Sequence, residues 1–164
     1  MEYRFSEHEV AMLAAEVEAK GQTFYRNLQS RAGDRTMADL YGFLAGEEQR
    51  HEATFRAIAE AHAGADDGHL YAVDIRAMLK ASIRQFDRFF DDEGVATRNG
   101  IGVSAGLALA AECEARAVTT YQHMRRVYTS RFSGLLDDVI GEERKHLTMI
   151  ENAQAQWRQT LGAV

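Results

Sequence analysis

The sequence predicts an all-α fold, a bundle of four long helices made from two repeated antiparallel helix pairs. Apolar residues recur every three or four positions in four separate stretches, which is the spacing of one buried helix face. Proline, which breaks helices, does not occur in the 164 residues. Two segments from the first half of the sequence also return in the second half, and this repetition indicates two copies of one helix pair.

Composition favours one domain spanning residues 1–164. Hydrophobic residues make up 46% and charged residues 27%, enough for a packed core and a solvated surface, which excludes a disordered chain. The net charge of −6 and scattered basic residues exclude the electrostatic footprint of a nucleic-acid-binding protein. The longest uncharged stretch, 99–111, is shorter than the roughly 20 residues that span a bilayer. With one cysteine and no signal-peptide pattern at its start, the sequence predicts a cytoplasmic protein.

The first helix pair is predicted to cover about 6–62. Ser6 and Glu9 have the spacing of a capping box, which satisfies backbone donors in the first turn of a helix. Gly33-Asp34 indicates the turn between the two helices, and Gly64 the end of the second. The apolar stripes that define these helices are Val10, Leu13 or Ala14, Val17, Gly21, Phe24 and Leu28, then Met37, Leu40, Leu44, Phe55 and Ile58.

The second helix pair is predicted over about 104–160, with a connection at 129–134 and an end near Gly162. Its stripes are Leu107, Ala110, Ala117, Tyr121, Met124 and Tyr128, then Leu136, Val139, Ile150, Ala153 and Trp157. The crossover 63–103 is long enough to return the chain along the bundle. A shorter amphipathic helix is predicted inside it from Ile75, Leu79, Phe86 and Phe90.

The internal repeat directs attention to buried polar residues. Residues 14–25 match 110–121 at seven of twelve positions, and 46–51 match 141–146 at four of six. Six repeated polar residues fall on the apolar stripes: Glu18, Glu48, His51, Glu114, Glu143 and His146. Glu18 and Glu48 are equally distant from Gly33, so an antiparallel hairpin places them side by side. The midpoint of Glu114 and Glu143 lies close to the second connection in the same way.

These six residues predict a pair of metal ions in the core. Burying one unpaired ion costs several kcal/mol, and four buried carboxylates also repel each other. Two divalent cations would neutralise the four glutamates, and both histidines could bind in their neutral form. A Glu from each of two helices with Glu-x-x-His from the other two is the ligand set of di-iron and di-manganese carboxylate bundles. Oxygen and imidazole ligands favour iron or manganese.

At these residues the sequence resembles the ferritin-like superfamily, and within it the rubrerythrin-like branch. The resemblance is carried by Glu18-x-x-Gly21-x-x-Phe24-Tyr25, Glu48-x-x-His51, Glu114 followed by Tyr121, and Glu143-x-x-His146. It covers both helix pairs but not the crossover. It implies a ferritin-like bundle with two iron ions per chain, or manganese or a mixed pair. It further implies that Glu48 and Glu143 bridge the ions, that Glu18 and Glu114 are terminal ligands, and that each histidine binds one ion.

The chain also departs from these families. It lacks the cysteines of the rubredoxin module that delivers electrons in rubrerythrins, and Ala117 stands where many of them carry a further glutamate. Gln49 replaces the haem-binding methionine of bacterioferritins, so no haem is expected. The resemblance implies a non-haem di-iron oxidoreductase that reduces hydrogen peroxide with an external donor such as a rubredoxin-type protein. The alternatives are a ferroxidase or iron-storage protein and a metal-stabilised bundle with an interaction role.

The remaining polar and aromatic residues divide into three groups. Tyr25 and Tyr121 occupy matching repeat positions and are candidates for hydrogen bonds that orient the ligands. Glu16 and Glu112 face away from the stripe, each four residues before a cation, while Glu47 and Glu142 are also off the stripe with an orienting role left open. Residues expected to be incidental or simply packed are His8, His62, His69, His123, Cys113 and Trp157. A homodimer is expected from the family and from the aromatic residues of the crossover, and exchange of a helix pair between subunits stays open.

Overall fold

Four long helices dominate the computed structural model, which describes residues 3–64, 69–71, 77, 80–81, 84, 102–127 and 132–162. They are α1 (Glu7–Arg31), α2 (Arg35–Ala61), α3 (Val103–Val127) and α4 (Phe132–Gly162). Two short strands, β1 (Tyr3–Phe5) and β2 (His69–Tyr71), accompany them. The predicted all-α bundle of two helix pairs is confirmed.

Local sequence signals fix the ends of the first helix pair. The Ser6 side chain accepts from the Glu9 amide while the Glu9 carboxylate accepts from the Ser6 amide, so the predicted capping box is present. Asp34 caps α2 by accepting from the Met37 amide at 3.0 Å. After α2, Gly64 adopts φ +79°, a left-handed conformation that favours glycine.

The second helix pair begins and ends close to its predicted bounds. α4 begins at Phe132, two residues before the predicted end of the connection at Gly134. The predicted stripe residue Tyr128 lies outside the described residues.

The core is formed by the inward faces of all four helices. Aromatic and aliphatic side chains with less than 2% exposure fill it, and the largest are Tyr25, Tyr41, Tyr121, Phe24, Phe55, Leu44, Leu107, Met124 and Leu136. Trp157 and Ala153 pack against this core, and Cys113 is buried in it, as expected. Within the described residues, no helix is both long and apolar enough to traverse a bilayer.

The strand pair was not predicted. β1 pairs antiparallel with β2 in the register Tyr3 to Tyr71, Arg4 to Leu70 and Phe5 to His69. Three residues are too few for an alternating pattern to stand out in a sequence. The pairing joins the chain just before α1 to the crossover just after α2. The crossover helix predicted from Ile75, Leu79, Phe86 and Phe90 lies outside the described residues.

Replacing Ser6 by alanine removes the side-chain acceptor at the start of α1. The free energy of unfolding should fall by about 1 kcal/mol, the usual cost of losing such a cap. Ser30→Ala is the matched control, because Ser30 is exposed and its hydroxyl only donates to the Asn27 carbonyl within α1. Urea denaturation followed by circular dichroism measures both, and equal effects would contradict the capping role.

Candidate metal centre

The structure brings all six predicted ligands together in the middle of the bundle. They come from all four helices, and each lies on the helix face directed to the core, where the stripes place it. Their exposed fractions are 4% or less: Glu18 2%, Glu48 4%, His51 4%, Glu114 0%, Glu143 0% and His146 3%. The equal distances of Glu18 and Glu48 from the α1–α2 turn therefore predicted their common level correctly.

Two overlapping groups within this cluster have the spacing of cation sites. The first contains Glu18, Glu48, His51 and Glu143, and the second contains Glu114, Glu143 and His146. In each group, one donor atom per residue lies within 4.8 Å of every other. Bonds of about 2.1 Å place opposite donors about 4.2 Å apart, so only a small contraction would close either group around an ion. Glu143 belongs to both groups, which is what a bridging carboxylate requires.

Both histidines direct Nδ1 toward the carboxylates. The Nδ1 atom of His51 lies 3.0 Å from Glu143 Oε1 and 3.6 Å from Glu18 Oε2. The Nδ1 atom of His146 lies 3.5 Å from Glu143 Oε2 and 3.7 Å from Glu114 Oε2. The two imidazole rings are stacked, with centroids 5.9 Å apart. Each histidine therefore faces one of the two groups.

The donor atoms of the cluster fit a pair of metal ions because several of them have no hydrogen-bond partner. Among the described residues, five buried site atoms lack a hydrogen-bond partner of acceptable geometry: His51 Nδ1, His146 Nδ1, Glu114 Oε2 and both carboxylate oxygens of Glu143. Buried polar atoms normally have partners, since leaving one unpaired costs about 1–3 kcal/mol. Cations at the two positions would satisfy all five.

Outside the ligands, a glutamate from the opposite repeat stands beside each histidine. His51 Nε2 lies 2.7 Å from Glu142 Oε2, and His146 Nε2 lies 3.7 Å from Glu47 Oε2. A proton on the His51 Nε2 atom is donated to Glu142, which leaves the Nδ1 lone pair for a metal. The apolar stripes did not predict that Glu47 and Glu142 stand beside the histidines, because neither residue lies on a stripe. The sequence feature that indicated a role was their repetition, each one position before a ligand.

The two tyrosines also reach across the repeats. The Tyr25 hydroxyl donates to Glu114 Oε1, and the Tyr121 hydroxyl donates to Glu18 Oε1. Each tyrosine is seven residues, or about 10 Å along the axis, from the glutamate on its own helix. Neither tyrosine can therefore reach the glutamate on its own helix, and the two bonds between the repeats show that α1 and α3 run antiparallel.

Gly21 makes room for a ligand. A Cβ atom built on it would lie 3.1 Å from Cδ of Glu48 and 3.2 Å from its Oε1 atom, closer than nine in ten real Cβ contacts. The equivalent position in the second repeat is Ala117. The Glu48 carboxylate thus packs directly on the backbone of α1, beside Glu18.

Comparison with solved structures now defines the fold. Our structure is similar to the crystal structure of a Thermotoga maritima protein provisionally described as a ferritin-like diiron-carboxylate protein. The TM-score is 0.67 at 16% sequence identity, over 93% of this chain and 97% of that one. The fold is ferritin-like. No protein-family model matches the sequence, and no curated protein is significantly similar to it.

The interior of this ferritin-like bundle favours protonated carboxyls in the absence of metal. Burial is the largest cause, and it raises the pKa of Glu48 well above its usual value, with the charge of Glu18 adding to the effect. Burial likewise raises the pKa of Glu18, although a hydrogen bond with Glu48 opposes it. Burial and the charge of Glu143 raise the pKa of Glu114 to about 8.

Glu143 and the two histidines, in contrast, favour their charged forms. Burial lowers the pKa of His51, but the nearby Glu143 carboxylate, with Oε1 at 3.0 Å from Nδ1, outweighs burial and raises the value to about 9. Burial also lowers the pKa of His146, but Glu114 and Glu143 outweigh burial and raise the value to about 9. Burial raises the pKa of Glu143, but His146 and His51 outweigh burial and lower it overall. An ionised Glu143 between two imidazolium rings is thus the metal-free arrangement, in which protons occupy the place of cations.

Residues assigned to the surface behave in two ways. Glu16 and Glu112 are exposed, and Glu112 pairs with Arg116 as predicted. His8 and His62 are not incidental, because both are half-buried and link α1 to α2. His8 Nδ1 lies 2.7 Å from the Ala59 carbonyl, and His62 Nδ1 lies 3.0 Å from Glu7 Oε2.

Replacing Glu143 by alanine removes the one carboxylate that both ligand groups share. The variant should bind at least one equivalent of divalent metal fewer than the unmodified chain while retaining its helical content. Glu16→Ala is the control, since Glu16 is exposed on α1 only two residues before Glu18. Metal content after dialysis and circular dichroism measure the outcome, and metal loss from Glu16→Ala instead would refute the assignment of helix faces.

Metal-free protein should lose stability as the pH rises from about 5 to about 9. A group whose pKa is higher in the folded state holds more protons there, so rising pH favours unfolding between its two pKa values. This pH range is 4.5 to about 8 for Glu114 and 6.5 to about 9 for both histidines. The lowered pKa of Glu143 changes the stability only below pH 4.5, outside the range tested. Thermal melting across this range measures the effect.

Two comparisons make this pH experiment specific. Glu114→Gln removes one contribution, so the decline in melting temperature between pH 5 and 8 should become shallower. Metal-loaded protein should show little of the decline near neutral pH, because cations replace the protons. A metal-free melting temperature that rises with pH would contradict the protonated cluster.

Proposed function

We propose that the chain is a non-haem di-iron oxidoreductase that reduces hydrogen peroxide with electrons from an external donor. The observation that carries this proposal is the pair of overlapping ligand groups joined by Glu143. A structural ion needs one closed group, whereas two adjacent groups with one histidine each suit two metals acting together. The preference for peroxide comes from the rubrerythrin-like pattern of the sequence.

The ligand chemistry supports iron, with manganese or a mixed pair as the other options. Carboxylate oxygens and imidazole nitrogens suit iron and manganese, whereas thiolates would favour zinc or iron–sulfur clusters. Cys113 is buried, and it is the only cysteine in the sequence. We propose two iron ions per chain, one for each ligand group, and no haem.

Two ferrous ions would supply two electrons, one each, which with two protons break the O–O bond of hydrogen peroxide and yield two water molecules. The chain's own residues hold the centre in a fixed geometry. Tyr25 and Tyr121 each hold one oxygen of Glu114 and Glu18, which leaves the other oxygen of each carboxylate available to a cation. These bonds, and the bond between Glu142 and His51, would keep the ligands oriented if the charge of a bound metal changed.

An external donor fits the position of the histidines. Glu142, which contacts His51, has 48% of its side chain exposed. Phe43 is 47% exposed and packs edge-on against the His146 ring, with centroids 6.3 Å apart. On the histidine side of the centre, a single layer of side chains therefore separates each imidazole ring from solvent. A small redox protein of the rubredoxin type, docked there, could pass electrons to the centre. We further propose a cytoplasmic homodimer.

An anaerobic Fe(II) titration of metal-free protein, followed by peroxide or air, tests this function. Binding should saturate at two irons per chain, one for each ligand group, and peroxide should oxidise the bound iron faster than air does. Glu143→Ala should fail in both steps, while Glu16→Ala should behave as the unmodified chain.

Other outcomes would identify the alternatives. Continued iron uptake in air far beyond two per chain would indicate a ferroxidase or storage protein. Two stable equivalents that neither peroxide nor air oxidises would indicate a metal-stabilised bundle with an interaction role. Either result contradicts the peroxidase proposal.

A further inference from the structure

We infer that the two cation positions bind with unequal affinity, the tight one lying between Glu18, Glu48, His51 and Glu143. The other position, between Glu114, Glu143 and His146, is the weaker one and fills second. This inference rests on the two-metal centre of the proposed function. It concerns how the residues of the two repeats have diverged around that centre.

The first argument is the number of ligands. Four side chains converge on the tight position and three on the weaker one. The difference is Glu48, which is hydrogen-bonded with Glu18 and stands with the first group only. Its repeat equivalent, Glu143, stands with both. The two repeats therefore supply the same types of ligand, but Glu48 and Glu143, the two candidates for bridging, are placed differently.

Gly21 explains the placement of Glu48. The carboxylate occupies the space where a side chain on residue 21 would begin, only 3.1 Å from a built Cβ atom. In the second repeat the equivalent residue, Ala117, has a Cβ atom of its own. The α1 helix can therefore accept the Glu48 carboxylate close to its backbone, which keeps that carboxylate beside Glu18 and His51.

The second argument is the support of each histidine. His51 has a hydrogen-bond acceptor in Glu142 at 2.7 Å, which fixes its ring and leaves Nδ1 for a cation. His146 has Glu47 at 3.7 Å, beyond hydrogen-bond distance, and the Glu47 carboxylate is already paired with Arg50. The Nε2 atom of His51 is thus hydrogen-bonded to Glu142, whereas the distance from His146 Nε2 to Glu47 is too long for such a bond.

A Co(II) titration of the metal-free protein, with calorimetry and visible absorption, separates the two positions. The unmodified chain should bind Co(II) in two phases. His51→Ala and His146→Ala form a matched pair, because the repeat makes the residues equivalent. His146→Ala should retain the tight phase and lose the weak one, and His51→Ala should lose the tight phase. Circular dichroism checks that both variants remain helical.

A milder variant keeps the test open should a histidine variant not fold. Glu142→Gln should weaken the tight phase about tenfold, the lower end of the usual loss when such a partner is removed, and leave the weak phase unchanged. Asp138→Asn is the matched control, since Asp138 is exposed one turn earlier on the same helix and removes the same charge. An equal loss of affinity in both variants would mean that charge alone matters, which overturns the role of Glu142.

The outcomes distinguish this inference from the proposed function. Two equivalent Co(II) sites, or a tight phase that survives in His51→Ala and disappears in His146→Ala, would overturn the inference while the two-metal centre stands. Absence of Co(II) and Fe(II) binding in the unmodified chain would overturn both.

Discussion

The burial of four carboxylates between four helices is the constraint on which the rest of this structure depends. Each costs several kcal/mol to bury as an ion, and together they repel one another, so the bundle can hold them only with compensating positive charge. Protons and two imidazolium rings provide that charge in the metal-free chain, and cations would provide more of it. The carboxylates and the two tyrosines that bond to them are almost fully buried, so exchange of protons for cations would be the way in which this centre changes its charge.

Completing the centre requires both helix pairs. Each pair supplies two glutamates and one histidine, but the hydrogen bonds that orient them come from the other pair: Tyr25 bonds Glu114, Tyr121 bonds Glu18, and Glu142 bonds His51. The centre is therefore also the polar contact between the two halves of the bundle. Loss of the positive charge that compensates the carboxylates would therefore weaken the association of the two helix pairs. The caps at Ser6 and Asp34, in contrast, stabilise single helices.

The sequence predicted the helices and the meeting of the six ligand residues, but few of the other contacts between helices. Periodicity identified all four helices, and the distances of Glu18 and Glu48 from Gly33 set their common level. The partners of Glu47 and Glu142 could not be found in this way, because an apolar stripe indicates which face of a helix is buried and not what stands opposite its edge. The same limit applied to Tyr25 and Tyr121, whose role was foreseen but whose partners lie across the bundle. β1 and β2 were missed because a pairing of three residues has no periodic signal.

The differences between the repeats follow a physical rule. Glu143 belongs to both ligand groups, so a change there would affect the whole centre, whereas a change beside one histidine would affect one position. The ligand types are identical in the two repeats, whereas the residue that packs on a ligand carboxylate differs, as Gly21 does from Ala117. This difference decides how much space the Glu48 carboxylate has beside α1. Two metals held by the same types of ligand could in this way acquire different affinities, and a two-electron reaction could draw on ions that are not equivalent.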